Sequence, residues 1–408
     1  MVVHDMMNER LGVEACLPRE PEQALLVGRA WLPSVDGPAL IALRDGGVYD
    51  VSKVAPTASA LFELDDPLAA IRAADRCPRL ASIAETLANS AWHRRDSGGP
   101  WFLAPCDLQA IKASGVTFVS SMLERVIEEQ ARGDPAKAES VRRAIVAVIG
   151  DDLARVRPGS PDAARLKEVL IGEGAWSQYL EVGIGPDAEI FTKSQPMSAV
   201  GLGAEIGIHP KSQWNNPEPE IVLVVNSRGR TVGATLGNDV NLRDFEGRSA
   251  LLLGKAKDNN ASCAVGPFIR LFDDAFTIDD IRGCTLAMRV DGAEGFALEG
   301  ASSMAMISRD PLDLVGQAIG ANHQYPDGLV LFLGTMFAPT QDRFKPGEGF
   351  THVVGDLVTV ATPKLGALVN RVNRSDRIPP WEFGASALMH NLARRGLLGP
   401  AAALVQRE

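Results

Sequence analysis

Two glutamates at the head of a β-branched run constrain this chain most. Glu218 and Glu220 flank Pro219 and lead into Ile221-Val222-Leu223-Val224-Val225, and Asp239 follows nineteen residues after Glu220. Such a run favours a strand, and residues two apart in a strand share a face, so both carboxylates can converge on one point. Asp239, in Gly237-Asn238-Asp239 after the next short strand, can close the set. Three hard oxygen donors suit Mg²⁺, Mn²⁺ or Ca²⁺ better than Zn²⁺. An exposed acidic strand start is the alternative that the spacing alone leaves open.

Composition narrows the function class. At 408 residues the chain exceeds one typical domain and can build a sizeable core. Its net charge of −10 comes with no basic stripe, which argues against a nucleic-acid footprint. No run of about 18 apolar residues occurs, so no membrane span is expected. The polar stretch 1–10 is unlike a signal peptide. Five cysteines (Cys16, Cys77, Cys106, Cys263, Cys284) are scattered without a C-x-x-C pair, which fits a reduced, cytoplasmic protein. The segment Gly201-Leu202-Gly203-Ala204-Glu205-Ile206-Gly207 looks like a dinucleotide loop, but its third glycine falls one residue late. No nucleotide cofactor is expected.

Along the chain, residues 1–20 read as a loose terminal arm. Strand-like runs follow at 39–43 and 47–51, then a helical patch with Leu80, Ile83 and Leu87 at helical spacing. Ser97-Gly98-Gly99-Pro100 and Pro105 read as a linker, dividing the chain into 1–104 and 105–408. Helices are expected over 123–132, over 135–149 with Asp134 as its cap, and over 161–171. After Pro186 the texture changes to short strands at 190–192, 221–225, 286–290 and 329–333, the last buried on both faces. Asp310-Pro311 starts another helix, with Leu312, Val315 and Ile319 facing inward. The fold class is α+β, mainly β: a mixed β-roll or compressed sandwich with a smaller N-terminal domain.

The order of these motifs resembles the fumarylacetoacetate hydrolase superfamily. A carboxylate pair opens a strand (Glu218, Glu220), and an N-D turn follows (Asn238-Asp239-Val240-Asn241-Leu242-Arg243-Asp244). Lys255 or Lys257 then precedes Gly266-Pro267, Gly334-Thr335 makes a G-T turn, and Gly355-Asp356, Gly366, Leu368 and Asn370 form the ending. The likeness covers roughly residues 115–375. Within the superfamily, Trp214-Asn215-Asn216-Pro217-Glu218, Asp244-Phe245-Glu246-Gly247-Arg248-Ser249 and Lys255-Ala256-Lys257-Asp258-Asn259-Asn260 are similar to bacterial 2-keto-3-deoxy-pentonate dehydratases.

The resemblance implies roles for particular residues. Glu218, Glu220 and Asp239 would bind Mg²⁺, with Mn²⁺ possible as well. Lys257 takes the catalytic lysine's position, with Lys255 as fallback, and Glu189 is its acid/base partner. On spacing alone Glu189 reads as a surface acid. Gly334-Thr335 would hold the substrate's carboxylate. Lys193 either shares that task or neutralises Glu189. The stretch 115–125 would meet the rest of the substrate through Phe118, Ser120, Ser121, Glu124 and Arg125, although the two serines also fit a helix cap and first turn. None of the six histidines falls in this stretch, where the hydrolases carry a water-activating one. That favours proton-shuffling chemistry over hydrolysis.

The expected activity is metal-dependent loss of water from a 2-keto-3-deoxy sugar acid, by a homodimer or homotetramer. Two rivals stand beside it. One is a hydrolase of a 2,4-diketo acid that uses Glu124 to place water; the other is a non-catalytic protein that binds a sugar acid.

Overall fold

The computed structural model describes residues 3–132, 134, 137–138, 156–172, 176–337, 339–347 and 349–398; the side chains of 3–5 and 119–121 fall outside that description. Among the described residues two sheets build the frame. The larger runs Arg79–Ser82, Gly47–Asp50, Gly37–Arg44, Leu26–Leu32, Cys263–Leu271, Thr231–Asp239, Pro219–Val225, Leu329–Phe332, Ala110–Ser114, Ile190–Ser194, and Trp101–Leu103 pairs beside Leu26–Leu32. The smaller runs Ala297–Ser303, Thr285–Asp291, Leu357–Thr362, Gly366–Arg374, Glu205–Ile208. A short ribbon joins Asn215–Asn216 to Asn241–Leu242.

The period of two decides which core each side chain enters. Ile221, Leu223 and Val225 join a core shared with Leu286, Met288, Val358 and Val360 of the smaller sheet. Val222 and Val224 point the other way, into a second core with Val27, Leu40, Leu61 and Phe62. Both faces of the strand are covered, which is why its sequence is apolar without alternation. Each such side chain contributes about 1.5–3 kcal/mol, so a deeply buried strand anchors the acidic pair at its head.

The expected elements appear with small shifts. The helix near 123–132 spans Val119–Ala131, that near 161–171 spans Pro161–Gly172, and Asp310 caps Pro311–Ala318 by accepting from the Leu312 backbone N–H. Of the expected helix over 135–149 only residues 137–138 are described, and they are helical.

Three readings need correction. The arm at 1–20 is not loose: it forms helices Val3–Arg10 and Val13–Cys16, and Met7, Leu11, Cys16 and Leu17 enter the main core. Leu312 faces solvent, and Leu314 takes its place inside, because the helix starts at Pro311 and the buried stripe runs through 314, 315 and 318. Leu80 lies in a strand rather than on the helix Ile83–Ser90. Across residue 104 the sheet is continuous, since Leu26–Leu32 pairs with Cys263–Leu271 and the N-terminal strands extend the sheet that carries the site.

Candidate metal centre and active site

Glu220 sits opposite Gly237 in the antiparallel pair Pro219–Val225/Thr231–Asp239, and the Asp239 N–H donates to the Glu218 carbonyl at 3.0 Å. This register brings Glu218, Glu220 and Asp239 together, all buried, with one oxygen of each within 4.8 Å of the others. The exposed alternative for the acidic pair is therefore excluded. Gly334 at the end of strand Leu329–Phe332 donates its N–H to Glu220 Oε2 at 2.7 Å, and Thr335 Oγ1 lies 3.4 Å from Oε1. The close approach requires glycine: Gly334 has φ +104°, and a Cβ there would overlap Thr117 Oγ1. Burial, then the nearby Asp239 and Glu218, push the Glu220 carboxyl well above its usual range.

Two buried lysines face this set. Lys257, at the end of the short helix Leu253–Lys257, bonds Glu218 Oε2 and reaches Asp239 Oδ2 at 3.1 Å; Lys255 is exposed. Burial works against the charge on Lys257, but Asp239, Glu218 and Glu246 outweigh it and raise its pKa. Lys193 is fully buried, with Nζ 2.8 Å from Asp239 Oδ1 and 2.5 Å from the Lys257 carbonyl. For Asp239, burial is overcome by Lys193 and Lys257, which hold it below the usual carboxylate range.

A third group comes from helix Val119–Ala131, where Glu124 and Arg125 lie four and three residues before Glu128, each one turn from it. Arg125 places Nη2 on Glu218 at 2.6 Å and Nη1 on Glu246 at 2.6 Å and Glu128 at 2.8 Å. Arg243, stacked over Trp214, pairs with Glu128 and with Glu124 at 2.8 Å. Burial raises Glu246 to about 7, with Arg125 and Lys257 pulling the other way.

The remaining expected residues fall around these groups. Glu189 is close enough for Arg125 and Lys257 to lower its pKa, yet burial dominates and raises it. Its main-chain carbonyl accepts from Gly115. Phe118 is buried at the start of Val119–Ala131 and forms a bridge with Ile307. Ser120 and Ser121 lie on the first turn of that helix, past Phe118 at its cap position, and their side chains are outside the described part. Thr335 stands on Glu220, Lys193 on Asp239 and Arg125 on Glu218.

Glu246, Glu128, Arg243 and Tyr179 were not singled out from sequence. Glu246 lies within the Asp244–Ser249 stretch noted for its resemblance, and the spacing of Glu124 and Glu128 was a helical signal for the second.

The charges test whether a cation fits. Seven acids (Glu124, Glu128, Glu189, Glu218, Glu220, Asp239, Glu246) face four bases (Arg125, Lys193, Arg243, Lys257), an excess of three negative charges if all are ionised. Without a cation the excess is relieved by protons, as the raised Glu220 and Glu246 show. A divalent cation on three oxygen donors relieves most of it, so the donor set fits.

Comparison with known proteins agrees with this geometry. Residues 177–373 match the fumarylacetoacetate (FAA) hydrolase C-terminal domain. The 2-dehydro-3-deoxy-D-arabinonate dehydratase of Saccharolobus solfataricus is 31% identical over 233 residues, covering 56% of this chain and 71% of that protein. A crystal form of 2-keto-3-deoxyarabinonate dehydratase shares the fold with a TM-score of 0.58 at 20% identity, over 86% of this chain and 99% of that one. A structure of 2-keto-3-deoxy-D-arabinonate dehydratase complexed with magnesium and 2,5-dioxopentanoate gives a TM-score of 0.56 at 19% identity, with the same coverage. The chain belongs to the fumarylacetoacetate hydrolase family, as an enzyme among its dehydratases.

Proposed function

We propose that the protein removes water from a 2-keto-3-deoxy sugar acid, converting 2-keto-3-deoxy-pentonate to 2,5-dioxopentanoate. One observation carries the reading: three buried carboxylates and the buried Lys257 meet at one point. Glu218, Glu220 and Asp239 would hold Mg²⁺ or Mn²⁺, which when bound polarises the 2-keto acid head and makes its C3–H more acidic.

The chain's own residues do the rest. Glu189, whose buried carboxyl is more basic than usual, accepts a C3 proton. Lys257, held as an ammonium, gives a proton to the departing C4 oxygen, which leaves as water. Loss of a C5 proton with return of one to C3 leaves an enol, and its protonation at C4 yields the aldehyde. The Gly334-Thr335 turn bonds Glu220 through its N–H, and the Thr335 hydroxyl, only loosely held at 3.4 Å from Glu220, serves the substrate's carboxylate in this reading. Arg125 and Lys193 orient the acids they pair with. Assembly as a homodimer or homotetramer in the cytoplasm belongs to the same reading.

Hydrolysis of a 2,4-diketo acid would need Glu124 to place water, and Arg243 already engages Glu124 at 2.8 Å. Product identity decides. NMR of a reaction with Mg²⁺ should show the aldehyde of 2,5-dioxopentanoate from 2-keto-3-deoxy-pentonate. Pyruvate from a 2,4-diketo-3-deoxy acid, with no aldehyde from the pentonate, would move the protein to hydrolysis.

A further inference from the structure

We infer, building on that reading, that Tyr179 and Glu246 form the subsite that selects the hydroxyl-bearing far end of the keto acid. Tyr179 is on the first turn of helix Gln178–Ile184, and Glu246 ends the short helix Arg243–Glu246. Both line one cleft of about 410 Å³, whose wall mixes polar groups such as Gln178, Arg248 and Ser249 with apolar ones such as Ala250 and Leu251.

This cleft adjoins the metal-binding acids. Glu246 Oε2 accepts from Arg125 Nη1 at 2.6 Å, and Nη2 of the same guanidinium donates to Glu218 at 2.6 Å. One guanidinium therefore separates the cleft from a carboxylate assigned to the cation. A keto acid held by its C1–C2 head at the cation can turn its far end only to a limited set of walls. The lysine side is closed, since Lys193 and Lys257 are packed against Asp239. On the Arg125 side, the cleft offers room.

Its chemistry suits a hydroxyl. A hydroxyl needs one acceptor and one donor. Glu246 Oε1 and Tyr179 Oη have no hydrogen-bond partner among the described residues, and they offer an acceptor and a donor. The Tyr179 phenol stays protonated, because burial and then Glu246 raise its pKa. A far end without a hydroxyl would leave both groups unmatched, and a site built that way rejects the analogue that lacks it.

Binding rather than turnover tests this, with two acids that cannot lose water from C4. Calorimetry with Mg²⁺ present compares 5-hydroxy-2-oxopentanoate with 2-oxopentanoate on the wild-type protein, Tyr179→Phe and Glu246→Gln, with Mg²⁺ affinity measured alongside. The wild type should prefer the hydroxylated acid by about tenfold, the scale of one or two hydrogen bonds. Tyr179→Phe should bind 2-oxopentanoate and Mg²⁺ as before and lose that preference, and Glu246→Gln should weaken it. A wild type without preference, or a preference that survives in both variants, overturns the inference while the dehydratase reading stands. A wild type that binds neither acid removes both.

Discussion

Lys257 Nζ lies 3.1 Å from Asp239 Oδ2 and also bonds Glu218, so the lysine proposed for proton transfer is the counter-ion of two proposed cation ligands. Lysine and cation therefore draw on the same carboxylate lone pairs. Lys257→Met should bind Mg²⁺ at least as tightly as the wild type while turnover falls about 10²–10⁴-fold. Calorimetry beside steady-state kinetics checks this. Weaker Mg²⁺ binding would mean that the lysine orders the acids instead of competing for them.

Gly115 holds the place of the Glu189 carboxylate. A Cβ at Gly115 would come 1.8 Å from Glu189 Oε2, the free end of a flexible side chain rather than backbone. Gly115→Ala should therefore displace the carboxylate and lower kcat at least about tenfold. Stability should stay within about 1 kcal/mol and Mg²⁺ affinity should hold, because no cation ligand is touched. Unchanged kcat would remove Glu189 from the chemistry.

Glu246 makes the cation-free protein sensitive to pH. Its folded pKa of about 7 exceeds the ordinary 4.5, so between these values the folded state binds more protons than the unfolded one. Stability from this group is then full below pH 4.5 and declines as pH rises to 7. Glu246→Gln mimics the protonated carboxyl. Urea unfolding should find the two proteins alike near pH 5 and the variant more stable at pH 8, by on the order of 3 kcal/mol. Equal stability at both pH values would contradict the raised pKa.

Lys193 is buried with Asp239 as its charged partner, and removing one member of such a pair leaves the other charge less compensated. Lys193→Met should lower stability by about 3–5 kcal/mol. Saturating Mg²⁺ should restore part of it, since a ligand that binds only the native state adds stability. Thermal unfolding with EDTA and with Mg²⁺ reads both effects.

Local pattern made the strand and its acids legible. An apolar run behind Glu218 and Glu220 has one stable setting, a doubly covered strand, and the period of two then puts both carboxylates on a face. Lys257 was separable from Lys255 only by resemblance, because their spacing is the same kind of signal; the fold buries one and exposes the other. Glu128, Arg243 and Glu246 were not legible for a different reason. Their roles come from Arg125 and Arg243 bridging a helix to a distant turn, a contact across more than a hundred residues that no local periodicity encodes. The N-terminal segment was misread on polarity: Met7, Leu11 and Cys16 are spaced to bury, but acids and basic residues between them mask the stripe.

The central claim is that a cation on Glu218, Glu220 and Asp239 is needed to remove water from a 2-keto-3-deoxy-pentonate. Its most direct test is a Mg²⁺ titration of chelator-stripped protein with that acid, following 2,5-dioxopentanoate by NMR, alongside Glu220→Gln. The account predicts no product without Mg²⁺, saturable recovery as it is added, and little recovery in Glu220→Gln. Full turnover in the chelator, or equal recovery in the variant, would contradict it.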